Sequence, residues 1–342
     1  MTNSQPSATA DPHSPAAGHT AAAAPQRAVD GVPAEKAAPQ PHTVLDTPTW
    51  KALRAAHQHR TEELTDAHLA RRRRGERHPV WDFMYSYYPT TPGKLSHWHP
   101  GAGVALTLDE DQGLVASNRK NTALPHYKDH YVHRDGTWML DLQRHWEDRG
   151  KALTYIYRLL RLTSQRAPQL NCFGLHEWAM VYRDRPRHPE PLRLGAEGTN
   201  AVVEAGNLVC THIDAYRFFT PAAAPRNAHR PTRETQPAME QPGCLHATMD
   251  LYKWATKLGP LLPGELWLRT FELACDVRQL DMEASPYDLR EWGFQPVKIE
   301  EPAGRAEYVR RQKKLAERGQ HLRAEILGTL KTAYPQLAET TS

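Results

Sequence analysis

The stretch GRAEYVRRQKKLAERGQHLRAEILGTLKTA, residues 304–333, decides the fold class. Tyr308, Leu315, Leu322, Ile326 and Leu330 recur in it at spacings of seven and four, which puts them on one stripe of an α-helix and leaves the charges between them to solvent. A stripe of that length needs other elements to cover it. Upstream, residues 243–258 and 264–281 read as helices, and so does Gly136–Gln165, with Leu142, Trp146, Leu153, Tyr157 and Leu160 at helical spacing. FGLHEWAMVYR, residues 173–183, continues as another. The first helix starts at Asp46-Thr47-Pro48-Thr49, where cap-type residues precede a proline in the first turn, and passes through Leu53, Leu64 and Leu69. It ends at Arg71-Arg72-Arg73-Arg74, a cationic run that suits the negative pole of a helix. GVALTLDE at 103–110 alternates like a short strand, and Ala201–Glu204 and Leu208–Phe219 read as a hairpin or two short strands around Ala205-Gly206-Asn207. The expected fold is mainly α with a small β element, an α+β class, in a single globular domain over residues 45–335. Residues 1–44 are rich in Ala, Pro, Ser and Thr and hold no aromatic residue. They bury too little to offset the entropy of ordering, so they are expected to form a disordered tail.

The 342 residues include 43 basic and 39 acidic side chains, largely intermixed, for a net charge of +4. That balance makes no strong case for nucleic acid by itself. No run approaches the roughly 18 to 20 apolar residues that cross a bilayer, and the N-terminus lacks the pattern of a signal peptide. Cys172, Cys210, Cys244 and Cys275 are widely spaced with no CxxC pair, which fits reduced thiols in the cytoplasm. The 19 histidines are the compositional outlier.

Three segments set histidine beside carboxylate: FGLHEWAMVYR with His176 and Glu177, CTHIDAYRFF with His212 and Asp214, and GCLHATMDLYKWA with His246 and Asp250. On a strand His212 and Asp214 share a face, and on a helix His246 and Asp250 do. His176 and Glu177 are neighbours about 100° apart on a helix, so one of the two is expected to aim at a common centre. Imidazoles and carboxylates from separate elements are what an iron, manganese or zinc site requires. The helical spacings ExxH and HExxH are absent. A metal site with His176, His212 and His246 as ligands, a metal-free acid/base site, and hydrogen-bonded core groups all remain open. Cys210 and Cys244 each stand two residues before one of these histidines and add a CxH alternative for zinc, against a role as small buried hydrophobes.

The block around HPVWDFMYSYY and SHWHPG offers Trp81, Tyr85, Tyr87, Tyr88 and Trp98 for a stacking pocket, with His99 beside them. Asp82 among the aromatics is a candidate acid/base group if buried. Arg226, Asn227, Arg230, Arg233, Gln236, Glu240 and Gln241 lie on a long Pro-rich loop, residues 221–243, of the kind that covers a site. Asp281, Ser285 and Asp288 read as helix-end and turn caps.

HPVWDFMYSYY, WHPG, GLHEWAMVYR, CTHIDAYRFF and EQPGCLHATMDLYKWATKL together resemble an actinobacterial family that commonly carries the label 3-methyladenine DNA glycosylase, over roughly residues 78 to 320. The resemblance implies excision of alkylated purines from DNA, a chemistry that flips a base, stacks it between aromatics and activates water with a carboxylate. Trp81, Tyr85, Tyr88 and Trp98 would then stack, and Asp82, Glu177, Asp214 or Asp250 would be the base. Arg71–Arg74 and the Arg226–Arg233 loop would hold phosphates. The residues themselves suggest the alternative, a metal-dependent oxidoreductase or hydrolase acting on a small molecule. The expected partner is therefore DNA or a small-molecule substrate, not a membrane.

Overall fold

The helix read at residues 243–258 and observed over Leu245–Leu258 is buried on nearly every side. In the computed structural model, which describes residues 43–88, 90–107, 130–186 and 188–339, this helix holds Leu245, Met249, Leu251, Tyr252, Trp254 and Leu258 in the core. An amphipathic helix needs one polar face. This one has almost none, so its polar residues His246 and Asp250 must be buried and must find partners inside.

The principal helices are α1 (Thr47–Arg73), α2 (Leu142–Ser164), α3 (Leu175–Ala179), α4 (Gly195–Ala205), α5 (Leu245–Leu258), α6 (Gly264–Glu283) and α7 (Pro302–Ala333). α5 packs against α6 and α7, α6 also packs against α7, and α2 covers another side of α7. The stripe predicted on α7 is buried as expected, from Tyr308 through Leu315, Leu322 and Ile326 to Leu330. Close approach of α7 to α5 requires Gly319, where a Cβ would lie 2.8 Å from Thr248 Cγ2.

Four short strands, β1 (Thr43–Leu45), β2 (Val104–Thr107), β3 (Tyr131–Arg134) and β4 (Thr137–Leu140), form one sheet in the order β1-β2-β4-β3. β1 and β2 run parallel with Val44 opposite Ala105, and the other pairs are antiparallel with Ala105 opposite Met139 and Val132 opposite Met139. Mainly α with a small β element is therefore the observed class.

Several local expectations are corrected. Thr43 and Val44, assigned to the tail, pair in β1; the rest of the expected tail lies outside the described residues. Leu53, on the expected path of α1, is exposed, and the buried stripe is instead Trp50, His57, Thr61, Thr65 and His68. Residues 137–140, read as the start of a helix, form β4. Asp135 and Gly136 both have positive φ, the backbone of a two-residue hairpin turn, so the Asp-Gly pair marked a hairpin before α2 began. The hairpin expected at 201–219 is absent. Ala201–Glu204 complete α4, whose buried side is Thr199 and Val203, four apart, and Leu208 keeps a single isolated bridge to Asn227. The β-branched pair Val202-Val203 favours strands locally, but one helical turn buries Val203 fully.

His145 on α2 is buried with Nδ1 3.1 Å from the Tyr334 hydroxyl. Burial, followed by repulsion from His130 and Arg149, lowers its pKa to about 4. A group depressed below its unfolded value of about 6.5 contributes stability above that pH and loses it as pH falls toward 4. Urea unfolding between pH 7 and 4 is expected to show stability falling less steeply for His145→Gln than for the parent chain. Equal slopes would mean that His145 takes up its proton freely in the fold.

Candidate functional site

The turn before α3 sets the site. Phe173 and Gly174 have φ of +50° and +72°, and the Leu175 and Glu177 amides donate to the carbonyls of Cys172 and Gly174. A Cβ on Gly174 would meet the Tyr308 ring at 3.3 Å. All five residues of α3 are buried, anchored by Trp178, whose indole donates to Ala284 O at 2.8 Å. From this anchored turn His176 and Glu177 both enter the interior. Asp281 comes from the last turns of α6 and His246 from the first turn of α5.

These four residues each offer a ligand atom within 4.8 Å of the others, and all four are buried. His176 Nε2 lies 2.7 Å from Asp281 Oδ1, and Nδ1 of the same ring lies 3.6 Å from Cys172 Sγ. The His246 ring stands edge-on to His176 at 4.5 Å between centroids, and its Nδ1 has no hydrogen-bond partner among the described residues. Arg278 Nη1 is 3.3 Å from Asp281 Oδ2 and 3.8 Å from Glu177 Oε1, with its guanidinium 4.1 Å from the centroid of the Phe83 ring. That cation is what allows two carboxylates to coexist out of water.

The protonation states follow. Burial opposes charge on His176, but Asp281 outweighs it and raises the pKa well above the ordinary value. Burial also opposes charge on Asp281, and His176 and Arg278 hold it well below the usual carboxylate range. Glu177 is pushed up to about 7, first by burial and then by Asp281, against Arg278. Burial, reinforced by the neighbouring His176, drives His246 down to about 3, so its ring is neutral at pH 7 and has lone-pair electrons to give. Two imidazoles and two carboxylates make a donor set suited to iron, manganese or zinc.

A second polar group adjoins the first. The rings of His246 and His212 are 5.5 Å apart, and His212 Nε2 is 3.0 Å from Glu240 Oε1 and 3.6 Å from Asp250 Oδ2. Both contacts are ion-pair contacts between a buried imidazole and buried carboxylates. Burial lowers and the two acids raise the His212 pKa, to about 9. Lys253 Nζ bridges Asp250 and Asp214 at 2.8 Å each, and Asp214 also meets Arg233 and Arg217. Asn227 fixes the His212 segment by taking the Cys210 amide and donating to its carbonyl, the work a strand partner would otherwise do.

Three of the four residues in the first group were named from sequence. The fourth, Asp281, was read as a helix-end cap and instead points inward within α6. Its spacing from Arg278, three residues, is the signal that was available. Glu177 was expected to diverge from His176, yet both reach the centre, because the longer Glu side chain makes up the angular difference. Residues 213–216 are helical, so His212 and Asp214 do not share a strand face; Asp214 faces Lys253 and Arg233 while His212 faces Glu240. The Cys-x-His alternative places Cys210 Sγ 3.5 Å from the His212 carbonyl, not beside a ring nitrogen. The 221–243 loop does close over the second group, through Arg233, Gln236 and Glu240.

The aromatic candidates separate. Trp81 packs on Phe294, Tyr85 stacks on His68 at 3.9 Å, and Trp98 belongs to a cluster with Trp50 and Leu106. Tyr88 reaches the polar groups, with its hydroxyl 3.5 Å from Asp250 Oδ1, and Tyr87 reaches them through Arg217, the partner of Asp214. Asp82 accepts from the His78 amide and pairs with His68, and the His99 carbonyl accepts from Gly264. Arg226 donates to Glu204 O and lies over the Tyr182 ring. These residues are therefore placed as packing and capping groups, outside the two polar groups.

Beyond Leu175 lies a cavity of about 500 Å³ bordered by Phe173, Val202, Gly206, Ile299 and Arg305. Another of about 400 Å³, bordered by Arg166, Thr211, Met239 and Gln241, adjoins the chain on either side of Glu240. No helix among the described residues is long and apolar enough to cross a membrane. No family model, curated protein or solved structure matches the chain.

Proposed function

We propose that the chain is a metal-dependent enzyme, an oxidoreductase or hydrolase, that acts on a small molecule through a divalent transition metal held by His176, Glu177, His246 and Asp281. The observation that carries this reading is the convergence of four buried ligand-type side chains, from three helices, within 4.8 Å of one another. Burying that many ionisable groups costs several kcal/mol per ion before pairing offsets it. A centre repeatedly supplied from separate elements is more economically explained by a shared ligand than by packing. The metal would supply Lewis acidity or redox capacity.

The chain's own residues set the surroundings. Cys172 contacts the other nitrogen of the His176 ring and fixes its orientation, as supporting groups do for ligating histidines. Arg278 helps to keep Asp281 ionised, and Leu175 and Trp178 exclude bulk water. The cavity beyond Leu175 has a volume within the range of small-molecule sites.

Elemental analysis of protein purified without chelators is expected to find iron, manganese or zinc, and treatment with a chelator to remove it along with thermal stability. Protein that carries no transition metal and takes none up on dialysis would end this reading.

The resemblance to the actinobacterial family labelled 3-methyladenine DNA glycosylase supplies a second reading, favoured by Glu177, whose carboxyl near 7 suits a general base. Release of 3-methyladenine from alkylated DNA, with binding that weakens steeply with salt, would decide for it.

A further inference from the structure

We propose that the cavity beyond Leu175 is the substrate site, and that its occupant is an organic carboxylate with an apolar body, anchored on the Arg305 guanidinium. Calling the occupant a substrate rests on the metal reading of the neighbouring group; its binding does not.

Arg305 stands in the first turn of α7, half-buried, and borders the cavity. A guanidinium carries five N–H donors in one plane. Nη1 donates to the Ile299 and Glu300 carbonyls at 3.0 and 3.4 Å, which fixes the head group, whereas Nε and Nη2 make no protein hydrogen bond among the described residues. That open edge presents two parallel donors, the geometry that takes a carboxylate side-on. No carboxylate of the described residues fills it. The nearest acids in sequence are paired elsewhere, Glu300 with Arg193 through two bonds, Glu301 with Lys298 and Glu307 with Arg310. A positive charge held at a concave surface without a counter-ion attracts an anion from solution.

The walls suit the other end of such a molecule. Phe173, Leu175, Val202 and Ile299 supply apolar surface, and the volume of about 500 Å³ is that of a small-molecule site. Gly206 lets the end of α4 close on Leu175, since a Cβ there would lie 3.0 Å from Leu175 Cδ1 and 3.0 Å from the Val202 carbonyl oxygen. Phe173 holds φ at +50°, a strained conformation for an aromatic residue and one that persists where the surroundings demand a particular side-chain placement. Cys172, His176 and Glu177 of the same segment serve the metal group, so one short stretch of chain shapes both.

Isothermal titration of the full-length chain, metal-free and metal-loaded, with phenylacetate and hexanoate and with their neutral amides tests the assignment. One acid per chain is expected to bind, about 10-fold or more tighter than its amide, because the amide cannot form the charged pair. Arg305→Met should remove that preference, and Val202→Trp, which fills the cavity, should weaken acid and amide alike. No binding of either acid, equal affinity for acid and amide, or a preference that survives Arg305→Met would overturn the proposal. Acid binding by a chain that takes up no metal would uphold the carboxylate site and overturn the metal reading alone. If Arg305→Met does not fold, the preference for acid over amide in the parent chain decides.

Discussion

Replacing His246 by Ala is expected to weaken metal binding at the His176, Glu177, His246 and Asp281 group by more than about 100-fold while the chain still folds. The His246 ring is neutral and buried, and its Nδ1 has no hydrogen-bond partner among the described residues, so its removal leaves no orphaned charge. Loss of a group that merely supports a ligand typically lowers metal affinity about 10- to 100-fold, and loss of a ligand should exceed that. A drop of more than about 100-fold corresponds to about 2.8 kcal/mol or more. Isothermal titration with Zn²⁺ or Mn²⁺, beside circular dichroism to verify the fold, measures it. Affinity within a few-fold of the parent chain would exclude His246 as a ligand.

The largest loss of stability is expected from Lys253→Met. Lys253 is mostly buried and bridges two carboxylates at 2.8 Å, and Asp250 has no other compensating cation closer than His212. Removing one partner of a buried pair typically costs about 3–5 kcal/mol, because the remaining charge is left out of water. Exposed pairs such as Arg74 with Glu76 are screened by solvent, so the same substitution there would be nearly silent. Urea denaturation should show the difference directly. Adding Asp250→Asn to Lys253→Met is expected to recover part of the loss. A cost under about 1 kcal/mol for Lys253→Met would mean that solvent reaches the bridge.

The long periodic segments were legible because burial of one face imposes a repeat that survives in the residues. The α7 stripe from Tyr308 to Leu330 is the clearest case, whereas α1 was legible from its Asp-Thr-Pro start and not from its apolar residues, since Leu53 is exposed. Histidine and carboxylate in three segments also marked where chemistry gathers. Their spacing did not reveal which of them meet. His246 and Asp250 do share a helix face, but His246 turns to His176 and Asp281 while Asp250 turns to His212 and Lys253.

Where the outcome depended on contacts between distant segments, the sequence was silent or misleading. Val202-Val203 suggested a strand, and burial of Val203 beside Thr199 decided for a helix. Asp281 resembled a cap until α6 brought it to His176, 105 residues away. The aromatics that seemed to gather in one stretch were distributed among separate packing clusters, because neighbours along a turn point in different directions. The amino-acid sequence by itself determined the long helices and the identity of the chemical groups, since the helices follow from local periodicity and capping, while the Asp-Gly turn at 135–136 was passed over in a helical reading. Only the tertiary structure decided which groups share a centre and which are charged there, because distance and desolvation are properties of the packed whole.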